Sequence, residues 1–346
     1  MSLCLPKFAA MSGISQRLQR LEAVRGLAGF YVFVHHYVHC NAGLAFLQPF
    51  FIFGQTAVMV FFILSGFVIY YSSAGRDRNF KVRDFLVRRI RRIYPAYILI
   101  LLMGWGICCL SAYEWIDLNW RSFLGNLLML QDKQHPFTWF LPYLGNSPLW
   151  SLSYEWWFYL MYLPVYFLAK EHPLRQQYLA AAISVLGFAS FMILPNQISI
   201  MAAYFMLWWS GVELAREYLD KGQITWRRQA FSMGMIAVNA GLWVSFAAWQ
   251  YFSSGKFSSE SYPFVQVQHQ VTVLAMVVAG IAWYKLQFVG FDRAFGVFKH
   301  LSPISYVLYI IHLPLILYAA HIQVTGSVWL DILWLFPLIL GLSWLI

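Results

Sequence analysis

Apolar residues fill most of this chain in runs of about twenty, and the short segments between the runs hold most of the charged residues. Runs of this length suit helices that cross the hydrocarbon core of a bilayer. The pattern predicts an all-α fold, a polytopic integral membrane helix bundle with about ten transmembrane helices. The predicted spans are residues 22–40, 50–72, 93–112, 148–168, 179–195, 198–214, 230–252, 265–284, 302–320 and 329–346.

Lys and Arg are distributed unevenly among the segments that connect these runs. If the chain starts in the cytoplasm, 21 of its 24 Lys and Arg residues fall on the cytoplasmic side, and the exceptions are Arg121, Lys133 and Lys256. An excess of positive charge marks the cytoplasmic segments of membrane proteins. We therefore expect both termini to be cytoplasmic.

The composition excludes a water-soluble protein, because 60% of the residues are hydrophobic and 11% are charged. The net charge of +10 would indicate nucleic-acid binding in a soluble protein, but its placement follows the membrane topology, so we expect no nucleic acid partner. The 4 cysteines show neither metal nor disulfide spacing, and no metal site is predicted. Residues 1–20 lack the features of a removable signal peptide, so they are expected to form a cytoplasmic N-terminal segment before a transmembrane domain at 21–346.

The stretch between Arg25 and Arg76 contains no Asp, Glu, Lys or Arg, yet it holds three histidines. In an α-helix the eleven positions from Arg25 to His36 make three turns plus about 20°, so both side chains lie on one face. The rise is about 16 Å, which places Arg25 near one membrane surface and His36 near mid-depth. An imidazole at that depth is a candidate for acid–base chemistry.

Two further ionisable residues lie inside predicted spans. Glu155 has five aromatic neighbours and is predicted about one to two turns below the outer surface, as a base or as a partner of a sugar hydroxyl or a protonated histidine. His312 lies in the ninth predicted span. Each histidine would alternatively make only a structural hydrogen bond within the bundle.

Four arginines directly precede the third predicted span. The excess of positive charge that marks cytoplasmic segments accounts more readily for two arginines at this place than for four. Arg88, Arg91 and Arg92 occupy positions i, i+3 and i+4, so they form one cationic helix face on the cytoplasmic side. Guanidinium groups bind phosphate oxygens in pairs, which favours a donor that carries pyrophosphate. Anionic lipid headgroups would bind the same face.

Ser65 and Gly66 interrupt the apolar second span. Small residues at such positions allow two membrane helices to pack closely. A glycine and a hydroxyl beside a buried site would also let a ligand approach the backbone, and the sequence leaves both interpretations open.

Taken together, these motifs resemble the acyltransferase 3 family, whose members are integral membrane enzymes that O-acylate surface polysaccharides and related molecules. The resemblance extends from Leu21 to the tenth predicted span. Met59 and Trp156 are departures, since many members have an acidic residue at each position. The elements that carry the resemblance are Arg25 followed by His36, FFILSGF at 61–67, Arg88 with Arg91, WSLSYEWWFYL at 150–160, and SYVLYIIHLP at 305–314.

The resemblance implies that an acyl group, most often acetyl, passes from cytosolic acyl-CoA to a hydroxyl of a surface or lipid-linked glycan. It makes His36 catalytic, either as a general base or as a covalent acyl carrier. Arg25 would orient the donor or stabilise an oxyanion, and Glu155 would complete the catalytic set. Substrate binding is expected to involve the remaining candidates Arg88, Arg91, Arg92, Ser65 and His312.

No bound cofactor is expected, because acetyl-CoA would serve as the donor substrate. The expected partners are acyl-CoA, the glycan acceptor and membrane lipids, and the expected location is a bacterial inner membrane. Some members of the family continue into an extracytoplasmic hydrolase-like domain, and none is expected in this sequence.

The alternative function is that of a multi-span transporter, in which His36, Glu155 and His312 would form an intramembrane proton relay. A transporter of this kind often shows related halves, but no internal repeat is evident in this chain. The strongest cluster of charge is also cytoplasmic and not at mid-depth. These two observations favour the enzyme.

Overall fold

The computed structural model describes residues 5–74, 80–112, 117–133, 137–170, 172–255, 262–322 and 327–346. Arg76 and Lys256, which the sequence analysis used, lie outside the described residues. The regular structure in these ranges is helical, apart from an isolated bridge between Gln131 and Phe140. The α-helices are α1 (Leu5–Cys40), α2 (Gly54–Ala74), α3 (Val82–Ala112), α4 (Trp120–Leu127), α5 (Trp150–Leu168), α6 (Pro173–Ile193), α7 (Gln197–Ala203), α8 (Phe205–Lys221), α9 (Trp226–Ser254), α10 (Phe264–Lys285), α11 (Phe291–Ala294), α12 (Ser305–Ile322) and α13 (Val328–Leu345). Short 3₁₀ segments cover Ala42–Phe50, Tyr143–Gly145, Ser147–Leu149 and Gly296–Leu301.

Six helical stretches of the described chain are long and apolar enough to cross a membrane, which confirms the all-α fold and supports an integral membrane protein. The predicted count of about ten spans is not confirmed. α12 and α13 contribute shorter apolar stretches, and α1 and α5 carry charged residues among aromatic side chains. The six stretches are Gly54–Ser73, Val82–Leu110, Pro173–Ile193, Gln197–Lys221, Trp226–Ser254 and Phe264–Lys285.

α1 runs without a break across residue 20, where the sequence analysis divides the chain. At Gly26, α1 lies directly against the 3₁₀ segment Gly296–Leu301, because a Cβ atom at Gly26 would overlap the carbonyl oxygen of Phe298. One turn further on, Gly29 lies against Ser305 at the start of α12. These two glycines let α1 lie directly on the segment that leads into α12, as small residues do in membrane bundles.

α2 crosses α8 through a pair of glycines. A Cβ at Gly66 would overlap the carbonyl oxygen of Trp208, and a Cβ at Gly211 would overlap that of Ile63. Each glycine therefore makes room for the backbone of the other helix, which is how small residues allow close crossings in membranes. The close-packing interpretation of Gly66 is confirmed by this contact.

Predicted cytoplasmic segments contact one another at one end of the bundle. The guanidinium group of Arg20 donates two hydrogen bonds of 2.9 and 2.6 Å to the carboxylate of Asp292, although the two residues are far apart in sequence. At the other end, the side chain of Gln197 donates to the carbonyl oxygen of Leu130, which joins two predicted outer loops. These contacts support the predicted segregation of inner and outer loops.

The predicted outer segment is held on the bundle by buried polar groups. The hydroxyl of Tyr97 on α3 donates a hydrogen bond of 3.1 Å to the backbone carbonyl oxygen of Asn126, whose side chain in turn binds Leu141 and Tyr143 of the same segment at 3.0 Å. The Asp132 carboxyl is 1% exposed and accepts hydrogen bonds from the Tyr154 hydroxyl at 2.9 Å and from the backbone N–H of Lys133 at 2.7 Å. Burial raises the pKa of Asp132 to about 7, and the two hydrogen bonds and the Lys133 charge offset part of that rise.

Single cysteines test the orientation. In a background without native cysteines, Arg83→Cys at the start of α3 is expected to resist an impermeant thiol reagent added to intact cells, because this segment is predicted to be cytoplasmic. Arg121→Cys, in the predicted outer segment, is the matched control and is expected to react. Strong labelling at position 83 with none at 121 would reverse the topology.

The Asp132 carboxyl predicts a pH-dependent stability. Its pKa is higher in the folded protein than the value of about 3.9 for an unfolded chain, so the folded state binds the proton more tightly. This contribution is present below pH 4 and is lost as pH rises to about 7, and it amounts to roughly 3 kcal/mol at most between pH 5 and 8.

Melting curves in detergent at pH 5 and pH 8 measure this contribution. Asp132→Asn is expected to lose less stability than the parent protein over that range, because the amide does not ionise. Asp117→Asn, at an exposed position in the same segment, is the control and should follow the parent. Equal pH dependence in the Asp132→Asn variant and the parent would contradict the assignment.

Candidate active site

His36 and His312 meet where α1 packs against α12. The Nδ1 atom of His312 lies 2.9 Å from the carbonyl oxygen of Leu308, so it carries the hydrogen and leaves Nε2 as an acceptor. That Nε2 atom lies 3.2 Å from Nδ1 of His36, which also lies 3.0 Å from the carbonyl oxygen of Val32. With two acceptors around it, Nδ1 of His36 is assigned the hydrogen. Nε2 of His36 then has its lone pair free to act as a base or nucleophile.

His36 lines a cavity of about 740 Å³ on the side that is predicted to face outwards, which is called the outer cavity below. His35 lines the same cavity, and a Cβ at Gly54 would overlap its ring, so this glycine leaves the space that the imidazole occupies. Lys133 also lines the cavity, with its ammonium group 4.7 Å from the centre of the Trp150 ring. The outer cavity therefore brings basic and aromatic side chains together with His36.

Glu155 does not line the outer cavity, although the sequence predicts it about one to two turns below the outer surface. Its Oε1 atom accepts hydrogen bonds from the Ser65 hydroxyl at 2.8 Å and from the Tyr159 hydroxyl. The neighbouring Gly66 packs against α8, so the two residues that the sequence left ambiguous make separate contacts. Gly66 packs the helices, and Ser65 orients the carboxylate.

The carboxylate of Glu155 lines an inner cavity of about 700 Å³. Arg25 lines the same cavity, and Arg91 and Arg92 lie in its wall with exposed side chains. A cavity with three guanidinium groups attracts a polyanionic ligand, since each group can form two hydrogen bonds to a phosphate. The structure thus brings Arg25 and Glu155 together and places His36 in the other cavity.

The four arginines near the start of α3 differ in their surroundings, and they do not all belong to the cationic helix face that the sequence predicts. Arg88 is exposed and is not among the described residues that line the inner cavity. Arg89 is buried instead, and its guanidinium carbon lies 5.8 Å from the ring centres of both Phe85 and Tyr159. Of the three predicted phosphate ligands, Arg91 and Arg92 therefore reach the cavity.

Sequence reasoning did not identify Tyr159, Tyr309 or Lys133 as site residues. Tyr159 lies one helical turn after Glu155, and Tyr309 lies one turn before His312, so helical spacing from a candidate residue was the available signal. Lys133 had no such signal, because it comes from the outer segment. In the parts of the chain that the structure describes, no cluster of His, Cys, Asp or Glu is arranged to hold a metal ion.

Comparison with known proteins identifies the family of this chain. Residues 18–346 match the acyltransferase 3 family, whose profile is described as an acyltransferase domain. The acyltransferase MdmB of Streptomyces mycarofaciens is 32% identical over 175 residues, which cover 48% of this chain and 43% of the relative. The O-acetyl transferase of Shigella phage Sf6 is 31% identical over 147 residues, or 40% of this chain and 43% of that protein.

A third relative is the putative peptidoglycan O-acetyltransferase YrhL of Bacillus subtilis strain 168, which is 31% identical over 155 residues, or 40% of this chain and 23% of the relative. The matched regions span less than half the length of each of these curated relatives. No solved structure gives a significant match. Because the family match begins at residue 18 and continues to residue 346, this chain belongs to the acyltransferase 3 family.

Proposed function

We propose that this protein is a membrane O-acyltransferase, which moves an acyl group, most often acetyl, from cytosolic acyl-CoA to a hydroxyl of a surface or lipid-linked glycan. The observation that carries this proposal is the pair of cavities, one lined by arginines and the other by His36. Two relatives are named as O-acetyltransferases, which supports acyl transfer to oxygen. The proposed location is the bacterial inner membrane, with both termini in the cytoplasm.

The inner cavity suits the donor. Acyl-CoA carries several phosphate groups on its nucleotide end and a long flexible arm that ends in the thioester. Arg91 and Arg92 are exposed at the cavity wall and would bind phosphates, while Arg25 lies deeper and would orient the arm. Glu155, held by Ser65, would limit the positive charge within the cavity.

The outer cavity suits the acceptor. In the general-base route, Nε2 of His36 accepts the proton of the acceptor hydroxyl while the hydroxyl oxygen attacks the thioester carbonyl. The new C–O bond forms, the C–S bond breaks, and the proton passes to the departing thiolate of CoA. In the covalent route, Nε2 first attacks the thioester carbonyl, so a C–N bond forms, the C–S bond breaks and the CoA thiolate leaves. The acceptor hydroxyl then attacks the acyl-imidazole, so the C–O bond forms, the C–N bond breaks and the hydroxyl proton ends on the CoA thiolate.

His312 would serve either route as a positioning residue. Its Nε2 atom would accept the hydrogen bond from Nδ1 of His36, which would keep the lone pair of His36 on Nε2. The imidazolium that forms during proton transfer would also be stabilised by this acceptor. The arrangement has the same logic as the group that orients the base in hydrolase triads.

The arginines predict an effect on the donor. Arg91→Ala combined with Arg92→Ala is expected to raise KM for acetyl-CoA about tenfold or more, because each lost charge-assisted hydrogen bond contributes roughly 1.5–3 kcal/mol. Arg88→Ala is the matched control, since Arg88 is exposed on the same helix but does not line the cavity. An equal rise in KM with Arg88→Ala would mean that the whole helix face, and not the cavity, attracts the donor.

His36 distinguishes the enzyme from the transporter. His36→Ala and His36→Gln are expected to lower acyl transfer by about a thousandfold while leaving membrane insertion intact, since neither side chain accepts a proton near neutral pH. His39→Ala is the matched control, because His39 lies one turn away and hydrogen-bonds its own helix at 2.8 Å. It should retain activity.

The measurement is transfer of labelled acetyl from acetyl-CoA to a glycan extract, with purified protein in detergent. Movement of a solute needs a sealed membrane, so turnover in detergent excludes transport as the sole activity. His36-dependent uptake into proteoliposomes, with no CoA released for any acceptor tried, would support the transporter instead.

A further inference from the structure

Tyr309 stands between the two cavities. Among the described residues, it alone lines both the inner cavity and the outer cavity. The residue is 7% exposed, and its ring centre lies 5.7 Å from that of Phe61 and 6.2 Å from that of His312. A single aromatic side chain thus forms part of the wall that separates the proposed donor site from the proposed acceptor site.

The hydroxyl group of Tyr309 is tied to both sides of this wall. It donates a hydrogen bond of 2.8 Å to the carbonyl oxygen of Pro148, which lines the outer cavity. It also lies 2.7 Å from the hydroxyl of Ser151, which lines the inner cavity. Because Ser147 and Pro148 face the outer cavity just before α5, an acceptor that contacts them would act on the residues that hold Tyr309 in place.

The chemistry requires such a wall. Nε2 of His36 would activate water as readily as a sugar hydroxyl, and water attack on the thioester would give free carboxylate and CoA, with one proton passed through His36 to the thiolate. An outer cavity of about 740 Å³ has room for many water molecules. An open passage between the cavities would therefore allow the thioester to be hydrolysed without acylation of the acceptor. Enzymes prevent such hydrolysis by excluding water until the acceptor is bound.

We infer that Tyr309 determines whether the acyl group goes to the acceptor or to water, by closing the passage between the two cavities until an acceptor occupies the outer one. This inference rests on the acyl transfer proposed above. It makes Tyr309 a specificity-determining residue, with a role different from that of His36 and from that of the arginines proposed to bind acyl-CoA.

The experiment compares CoA release with acyl transfer in purified protein. In Tyr309→Ala, CoA release without acceptor is expected to rise about tenfold, and the ratio of acylated product to CoA should fall well below that of the parent protein. Tyr309→Phe keeps the ring but loses both hydrogen bonds, so a smaller rise is expected. Tyr306→Ala is the matched control, since Tyr306 lies on the same helix but lines the inner cavity alone. Its overall rate can fall, but its ratio of product to CoA should not.

A second readout does not depend on catalysis. Ser305→Cys places a thiol in the wall of the inner cavity, and its modification by a small impermeant reagent added from the outside reports whether the passage is open. The rate of modification is expected to rise about tenfold when Tyr309→Ala is added, because the barrier is removed. The Tyr306→Ala background should leave this rate unchanged.

The outcomes separate the inference from the function on which it rests. If the ratio of product to CoA and the thiol modification rate both stay at parental values in Tyr309→Ala, Tyr309 is only a packing residue and the inference is wrong. If the parent protein releases no CoA with any acceptor, acyl transfer itself is wrong. In that case, faster thiol modification would still identify Tyr309 as the barrier between the cavities.

Discussion

The hydrogen bond between His36 and His312 depends on how closely α1 can approach α12, and much of the site follows from that approach. Gly26, Gly29 and His36 lie on one face of α1, at spacings of three and seven residues. The two glycines bring that face against the segment that begins α12, where a larger side chain would overlap backbone atoms at Gly26. Nε2 of His312 and Nδ1 of His36 then lie 3.2 Å apart. Their hydrogen bond stabilises the packing, because an unpaired polar group in an apolar interior is costly.

The same cost explains the separation of the charged groups. Guanidinium and carboxylate groups cannot be buried in lipid without partners, so Arg25, Arg91 and Arg92 share an inner cavity with Glu155. His36 needs no counter-charge while it is neutral, and it lies in the outer cavity beyond Tyr309. The proposed donor, rich in phosphate, and the proposed acceptor, rich in hydroxyl groups, would thus meet chemically different surfaces, with His36 on the side proposed for the acceptor.

The second half of the site uses two adjacent residues of α2 for two different contacts. Gly66, together with Gly211, allows α2 and α8 to touch backbone to backbone. Ser65 donates a hydrogen bond to Glu155, which lies on α5. Packing and polar contact are therefore not alternative roles for this pair of neighbours, because each residue contacts a different helix.

The sequence by itself determined the helical membrane fold, because apolar runs of membrane length leave the backbone no other way to satisfy its hydrogen bonds in lipid. It also identified His36, Glu155 and His312, since an ionisable group in an apolar run is visible without coordinates. Only the tertiary structure decided which candidates share a cavity. Arg25 and His36 lie on one face of one helix, yet they open into different cavities, and Arg88 is left outside both. Tyr309 and Lys133 look ordinary in sequence, because the histidine with which they share a cavity, His36, is distant from both of them along the chain. Such neighbours are set by helix packing, which local periodicity does not encode.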